Sequence, residues 1–432
     1  MINLPDKLAE IDKKGENIKV AIVGVGQMGA GVANVISQMK GMETVAFAEI
    51  EKEKAIALFE ELGVERKNVF TSDDPESCNR ALEKGMRVVT DKACIIPHLK
   101  LVDVVVEATG IPSVGAEVAF EAIRCKKHIV MMNVETDVTV GPILKELAKD
   151  KGIVYTVGAG DEPGAIKELY DFATSVGFRV VAAGKGKNNP LDREATPESL
   201  KDIALKKGVN PKMLCEFVDG SKTMVEMTAV ANATGLLPDI RGMHGPKCNV
   251  EELASVFSLK KNGGVLEKEG VVDYAIGNVA PGVFVVVTTD NKRLIKDLEY
   301  MSMGKGPNYL LYRPYHLTSI EIPISVARAF LYKEPTIVCK ERPVAEAITV
   351  AKRDLKAGKV IDGIGRFDIY GSIEKASVAF EENLLPLGLA EGAVLKENVK
   401  KGEYIRKDQV ELDENSVLVN LRRLQEKVLP PL

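Results

Sequence analysis

Several groups of residues have types and spacings suited to chemistry. The first is Gly24-Val25-Gly26-Gln27-Met28-Gly29, which follows the apolar run 19–23 and opens an Ala- and Val-rich segment, 30–39. Strand, glycine turn and helix in this order form a cradle for a dinucleotide. Gly24 permits the tight turn, Gly26 lets the backbone approach a pyrophosphate, and Gly29 lets helix and strand pack closely. Gln27 and Met28 lie at the helix start, whose unpaired N–H groups favour phosphate. The next apolar run, 44–48, ends at Glu49, 20 residues past Gly29, where a carboxylate accepts hydrogen bonds from ribose hydroxyls. Glu49 favours the free 2′-hydroxyl of NAD, whereas Lys52 and Lys54 nearby favour the 2′-phosphate of NADP, so both cofactors stay open. Thr109 and Gly110 follow the strand 102–106, Asn133 ends the strand 128–132, and Gly158 ends the strand 153–157. Ends of parallel strands border the ligand crevice, which makes these four further cofactor-binding candidates. The alternative is a tight structural turn with no ligand.

The second group is polar and lies downstream. Lys185 and Lys187 sit two apart in Gly184-Lys-Gly-Lys-Asn-Asn-Pro190, expected as a loop after a strand 178–182, with Asn188 and Asn189 beside them. Two ammonium groups and two amides suit a phosphate or a polarised carbonyl; lysines in glycine loops are otherwise solvated. Lys222 and Glu226, spaced i, i+4 on a small-residue helix 222–234 capped by Asp219 or Ser221, share one face and can pair. His244, in Gly242-Met-His-Gly-Pro246, is one of only four histidines, and Arg241 beside it is a phosphate candidate. His316 either reaches the nicotinamide pocket or packs under the final helix. Asp161 and Glu162 cap a helix start, or join Glu226 around Mg²⁺ or Mn²⁺, which take carboxylate oxygens; no metal ligand is assigned.

These residues need a frame. Strands alternating with helices over the first 160 residues predict an α/β fold, a Rossmann-type doubly wound parallel sheet. An insertion between Glu61 and Leu101 carries turn chemistry without an evident purpose. An α+β substrate domain is expected over 161–303, after which 304–335 returns to the nucleotide domain through the aromatic strand 309–315 and a helix 325–331. Residues 340–432 hold an internal repeat: Val350–Ile361 aligns without gaps on Val394–Ile405, an offset of 44. One unit occurring twice predicts a small β-rich domain with pseudo-twofold symmetry.

Composition narrows the function. Among 432 residues, 58 Lys and Arg face 62 Asp and Glu, a balance that argues against a nucleic-acid partner. No apolar run approaches the ~18 residues of a membrane span, and the polar N-terminal stretch is no signal peptide. The six cysteines are scattered, without CxxC or zinc spacing, and read as reduced thiols. A cytoplasmic enzyme with a small-molecule substrate, assembled as a homo-oligomer, is the expectation.

The stretches MMNVETDVTVGP (131–142), GAGDEPGA (158–165), AGKGKNNPLD (183–192), DGSKTMVEMTAVANATGLLPDIRGMHGP (219–246) and RPYHLTSIEIP (313–323) resemble the homoserine-dehydrogenase-like proteins with a C-terminal SAF domain, and among them the deoxyxylulose-phosphate reductoisomerase-like enzymes. The resemblance implies an NAD(P)-dependent oxidoreductase acting on CH–OH or carbonyl groups, with the repeat as the SAF module. It implies the reductive isomerisation of 1-deoxy-D-xylulose 5-phosphate, the committing step of isoprenoid synthesis, with Lys185, Lys187, Asn189, Lys222, Glu226 and His244 catalytic. Two departures from homoserine dehydrogenases matter. Asn133-Val134 lacks the lysine those enzymes carry, and their Asp-then-Lys pair is reversed as Lys222 and Glu226. An amino acid is therefore a poor substrate and a sugar phosphate a better one. The alternatives are a dehydrogenase of another oxo- or hydroxy-acid of sugar catabolism, a homoserine-dehydrogenase-like activity, and a nucleotide-binding regulator without turnover.

Overall fold

The computed structural model describes residues 3–431. The chain forms two compact units: one runs to Asp161 and resumes at Leu317–Val338, the other comprises Glu162–His316 and Cys339–Leu432. Among the described residues no helix is long and apolar enough to cross a membrane.

The first unit is built on seven strands: β1 (Ile18–Val23), β2 (Met42–Ala48), β3 (Val69–Thr71), β4 (Arg87–Thr90), β5 (Val104–Glu107), β6 (His128–Met131) and β7 (Tyr155–Val157). They pair in the order β3-β4-β2-β1-β5-β6-β7, every neighbour parallel. β1, β5 and β6 are almost wholly buried, as strands covered on both faces must be. The insertion 61–101 contributes β3, β4 and the helix Pro75–Glu83 between them, and so extends the sheet on one side. Asp74 caps that helix, accepting the Ser77 N–H at 2.8 Å. The helix after β6 starts at Val134 rather than at Val140, because Asn133 caps it. The returning segment buries Ile322, Val326 and Ala327 in the same core as β1 and β5.

The second unit holds β8 (Arg179–Lys187), β9 (Leu237–Pro238), β10 (Val271–Ile276), β11 (Val283–Thr288) and β12 (Asn308–Arg313), ordered β12-β11-β8-β10-β9. Two expectations differ here. Residues 184–187 are not loop but the end of the central strand, the chain leaving the sheet only at Asn188. The segment 304–316, expected with the nucleotide domain, lies in the second unit, because β12 pairs with β11 from Val283↔Arg313 to Thr288↔Asn308. The helix Ser221–Thr234 is buried at every position but Lys222, as a helix apolar or small on all sides must be. Gly220 (φ +89°) and Gly235 (φ +85°) bound it. The N-cap position is Gly220, but Asp219 still accepts the first helical N–H, that of Ser221, at 2.8 Å, whereas Ser221 Oγ accepts the Gly371 N–H at 2.8 Å.

The C-terminal segment pairs β13 (Ala345–Ala351) with β14 (Ile369–Lys375) in antiparallel register. It is part of the second unit rather than separate from it: Asn232, on the buried helix, accepts the N–H groups of Val344 and Ala345 at 2.8 and 3.0 Å. The sequence repeat is expressed as pairing between its two copies. Leu355 and Val399 exchange N–H···O bonds of 2.8 and 2.9 Å, and Gly358 N–H to Leu395 O (2.7 Å) is mirrored by Gly402 N–H to Ala351 O (2.9 Å). Each partner lies 44 residues from its counterpart, so the pseudo-twofold relation is carried by the backbone.

Candidate functional site

In the first unit the glycine turn connects β1 to the helix Gln27–Gln38. Gly24 has φ +90°, and a Cβ there would lie 2.9 Å from the Ala108 carbonyl. A Cβ on Gly29 would fall 2.0 Å from Gly24 O, whereas one on Gly26 would meet nothing within 4 Å. Two glycines are thus required by packing, and the exposed middle one leaves open space beside backbone N–H groups, which is what a pyrophosphate needs. Gln27 is exposed and Met28 half-buried at the helix start. The Glu49 carboxylate accepts the Val25 N–H at 2.9 Å, placing it against the turn. Lys52 pairs with Asp73 and Asp91, each at 3.1 Å, and Lys54 with Glu51, so both lysines are already matched by carboxylates.

Thr109 and Gly110 follow β5, half-buried and exposed respectively. Beneath them Glu107, fully buried, accepts the Thr109 N–H at 2.9 Å and its hydroxyl, while Oε2 has no hydrogen-bond partner among the described residues. Burial pushes this carboxyl up to about 7. Asn133 is turned inward: Oδ1 accepts the Thr136 N–H (3.1 Å) and Nδ2 donates to Ile111 O (3.0 Å). Gly158 is also a packing glycine, its Cβ position lying 2.1 Å from Ile322 Cδ1.

In the second unit β8 sets the geometry. Side chains alternate along a strand, so Lys185 and Lys187 share one face and Gly184 and Gly186 the other. A Cβ on Gly184 would lie 2.1 Å from Asp273 O, and one on Gly186 2.2 Å from Ala280 N. Neighbouring backbone therefore closes on the glycine face. Lys185 is 5% exposed. Its Nζ donates to Glu162, in the first turn of the helix Glu162–Ser175, and to Glu226 on the helix Ser221–Thr234. Burial would pull Lys185 down, but the two carboxylates outweigh it and hold the ammonium charged. Glu226 is pushed up to about 7, by burial first and then by repulsion from Glu162. Lys187, its Nζ on the Phe217 carbonyl, is brought down to about 8 by burial and by Lys185. Half-buried Lys222 opposes the rise of Glu226.

Four of the candidate residues, Lys185, Lys187, Lys222 and Glu226, thus act on one another. Asn189 is half-buried in the loop after β8. His244 is engaged elsewhere: Nδ1 lies 2.8 Å from Asp273 and Nε2 3.6 Å from Asp239, and hydrogen bonding to Asp273 raises its pKa. Arg241 pairs with Glu374 and Glu382. His316 joins the lysine cluster, with Nε2 3.5 Å from Glu162 and Nδ1 2.7 Å from Pro281 O. Sequence assigns no part in the site to three buried groups, of which Asp219 is read there only as a helix cap. Asp273 is the one charge in Val271–Ile276, itself a signal. Asp219 pairs with Lys352 at 2.7 Å, and Lys352 also donates to Ala195 O and Arg366 O, each at 2.9 Å. Nothing in the sequence links 219 to 352.

No curated protein matches the chain. Among solved structures, a probable dehydrogenase from Thermotoga maritima aligns at 13% identity and TM-score 0.43, over 74% of this chain and 90% of that one. A DOX-P reductoisomerase in complex with magnesium aligns at 15% and 0.41, over 74% and 70%. A scyllo-inositol dehydrogenase from Lactobacillus casei with bound NAD(H) and scyllo-inositol aligns at 13% and 0.37, over 69% and 76%. At these scores none of them bears on what the chain does. Family matches are more direct: residues 24–158 match the homoserine dehydrogenase NAD-binding domain, and residues 160–322 the catalytic domain of oxidoreductase DRL. Together with the glycine turn and its carboxylate, these identify an NAD(P)-dependent oxidoreductase.

Proposed function

We propose that the enzyme is a reductoisomerase acting on a phosphorylated ketose such as 1-deoxy-D-xylulose 5-phosphate. One observation carries this reading: a buried ammonium, Lys185, clasped by Glu162 and Glu226, with Lys187 and Lys222 beside them. The cluster sets three lysines, Lys185, Lys187 and Lys222, against two carboxylates, a balance that favours an anionic substrate. The Gly24–Gly29 turn, Glu49, Thr109 and Gly110 would hold the dinucleotide, and when bound it supplies the hydride. The protein's own groups do the rest. Glu226, poised near 7, takes the proton of one substrate hydroxyl and gives it to the former ketone oxygen as one C–C bond breaks and another forms, as a general acid–base with a pKa near working pH allows. The proton needed by the oxygen that is then reduced comes from solvent. Lys187 donates to the oxygen on which negative charge develops. Their buried setting keeps bulk water from screening these charges.

A second reading, oxidation of a hydroxy-acid or reduction of an oxo-acid without isomerisation, is favoured by Arg241, whose guanidinium is matched by Glu374 and Glu382 rather than kept for a phosphate. The deciding experiment follows NADH and NADPH oxidation with deoxyxylulose phosphate, other phosphorylated ketoses and oxo-acids, with the product skeleton read by carbon NMR. A rearranged product supports the first reading. Turnover only of oxo-acids establishes the second, and tight nucleotide binding without turnover of any compound overturns both.

A further inference from the structure

Glu162 and Glu226 have the donor set of a Mg²⁺ or Mn²⁺ site, carboxylate oxygens from two elements converging on one point. That point is taken. Lys185 Nζ bonds an oxygen of each, and the strand carrying it is packed on its other face, where Gly184 and Gly186 lie against the backbone of Asp273 and Ala280. A dication entering here would also meet Lys187 and Lys222. The residues present therefore do not fit a divalent cation.

We infer that the ammonium of Lys185 is this enzyme's built-in substitute for a divalent cation, organising Glu162 and Glu226 and polarising substrate oxygen without metal. The inference rests on the catalytic reading of the cluster, but its metal-binding test does not. A lysine presents a compact charge with three donors, so two protons can serve the carboxylates while the third faces a ligand oxygen. Unlike a metal, the ammonium cannot be lost to a chelator.

The test is a Mn²⁺ titration of chelator-treated full-length protein, read by electron paramagnetic resonance. Wild type is expected to bind no stoichiometric Mn²⁺. Lys185→Met, which removes the ammonium shared by both carboxylates, is expected to bind one ion at least about a hundredfold more tightly, since that buried ion pair need not first be broken. Adding Glu226→Gln should abolish that gain. One Mn²⁺ bound by wild type and lost in Glu226→Gln overturns the inference, as does a folded Lys185→Met that gains none. Lys185→Thr is prepared in parallel, refolded with Mn²⁺ present, and failure of both variants to bind also overturns it. Where a substrate is turned over, chelator treatment should change the wild-type rate by less than about twofold; loss of rate restored by Mg²⁺ overturns the inference. Absence of turnover with every substrate defeats the functional reading alone, because the Mn²⁺ titration still decides this one.

Discussion

Lys352→Met is expected to destabilise the second unit strongly. The Lys352 and Asp219 side chains are 2% and 0% exposed, 2.7 Å apart. Removing the ammonium strips Asp219 of its cation and leaves the carbonyls of Ala195 and Arg366 without their 2.9 Å donor. Breaking such a pair from one side costs about 3–5 kcal/mol. For a unit of this size each kcal/mol lowers Tm by roughly 2–4 °C, so a fall of about 6–20 °C follows. The loss should depend on pH. Burial already raises the Asp219 pKa and Lys352 restrains that rise, so without Lys352 it climbs further above its unfolded value. The variant's native state then binds a proton more readily than its unfolded chain, and its deficit should shrink as pH falls towards 5. Thermal unfolding followed by circular dichroism at pH 5 and pH 7 reads both effects. Lys352→Met combined with Asp219→Asn should recover much of the loss. A variant melting within about 2 °C of wild type at both pH values would refute the reasoning, because no buried uncompensated carboxylate would then exist.

Three further outcomes are expected. Lys187→Ala should lower kcat by about a hundredfold or more while nucleotide Kd, by fluorescence titration, stays within about threefold; equal turnover would remove Lys187 from the chemistry. Glu49→Ala should weaken NADH binding by about tenfold or more and NADPH binding less, if the lost carboxylate is the acceptor proposed for the 2′-hydroxyl; calorimetry with both cofactors checks this. Glu107, raised to about 7, stabilises the fold fully below its unfolded value near 4.5, and that contribution is lost as pH rises through 7. Denaturant midpoints should accordingly fall less steeply between pH 5 and 7.5 in Glu107→Gln than in wild type.

The nucleotide unit was legible because its signals are local. Gly24 and Gly29 are dictated by backbone within a few residues or on an adjacent strand, and buried parallel strands read as continuous Val and Ile. β3 and β4 escaped because each offers only two adjacent apolar residues, Val69-Phe70 and Val88-Val89, whereas β5, β6 and β7 lie in longer apolar runs. The glycines of Gly184-Lys-Gly-Lys read as loop, since glycine weakens an isolated strand. In the folded protein the same glycines admit the backbone of Asp273 and Ala280.

By itself the sequence determined the strand–turn–helix cradle, the alternating order of the first unit, the duplicated C-terminal segment and the identities of Lys185, Lys187, Lys222 and Glu226. Tertiary structure alone decided who partners whom: Lys185 with Glu162 and Glu226, Asp219 with Lys352, His244 with Asp273 rather than with the lysines. The physical reason is distance along the chain. Periodicity and turn chemistry act over a few residues, whereas a buried charge is matched by whatever the packing brings within about 3 Å, here 23, 41 and 133 residues away.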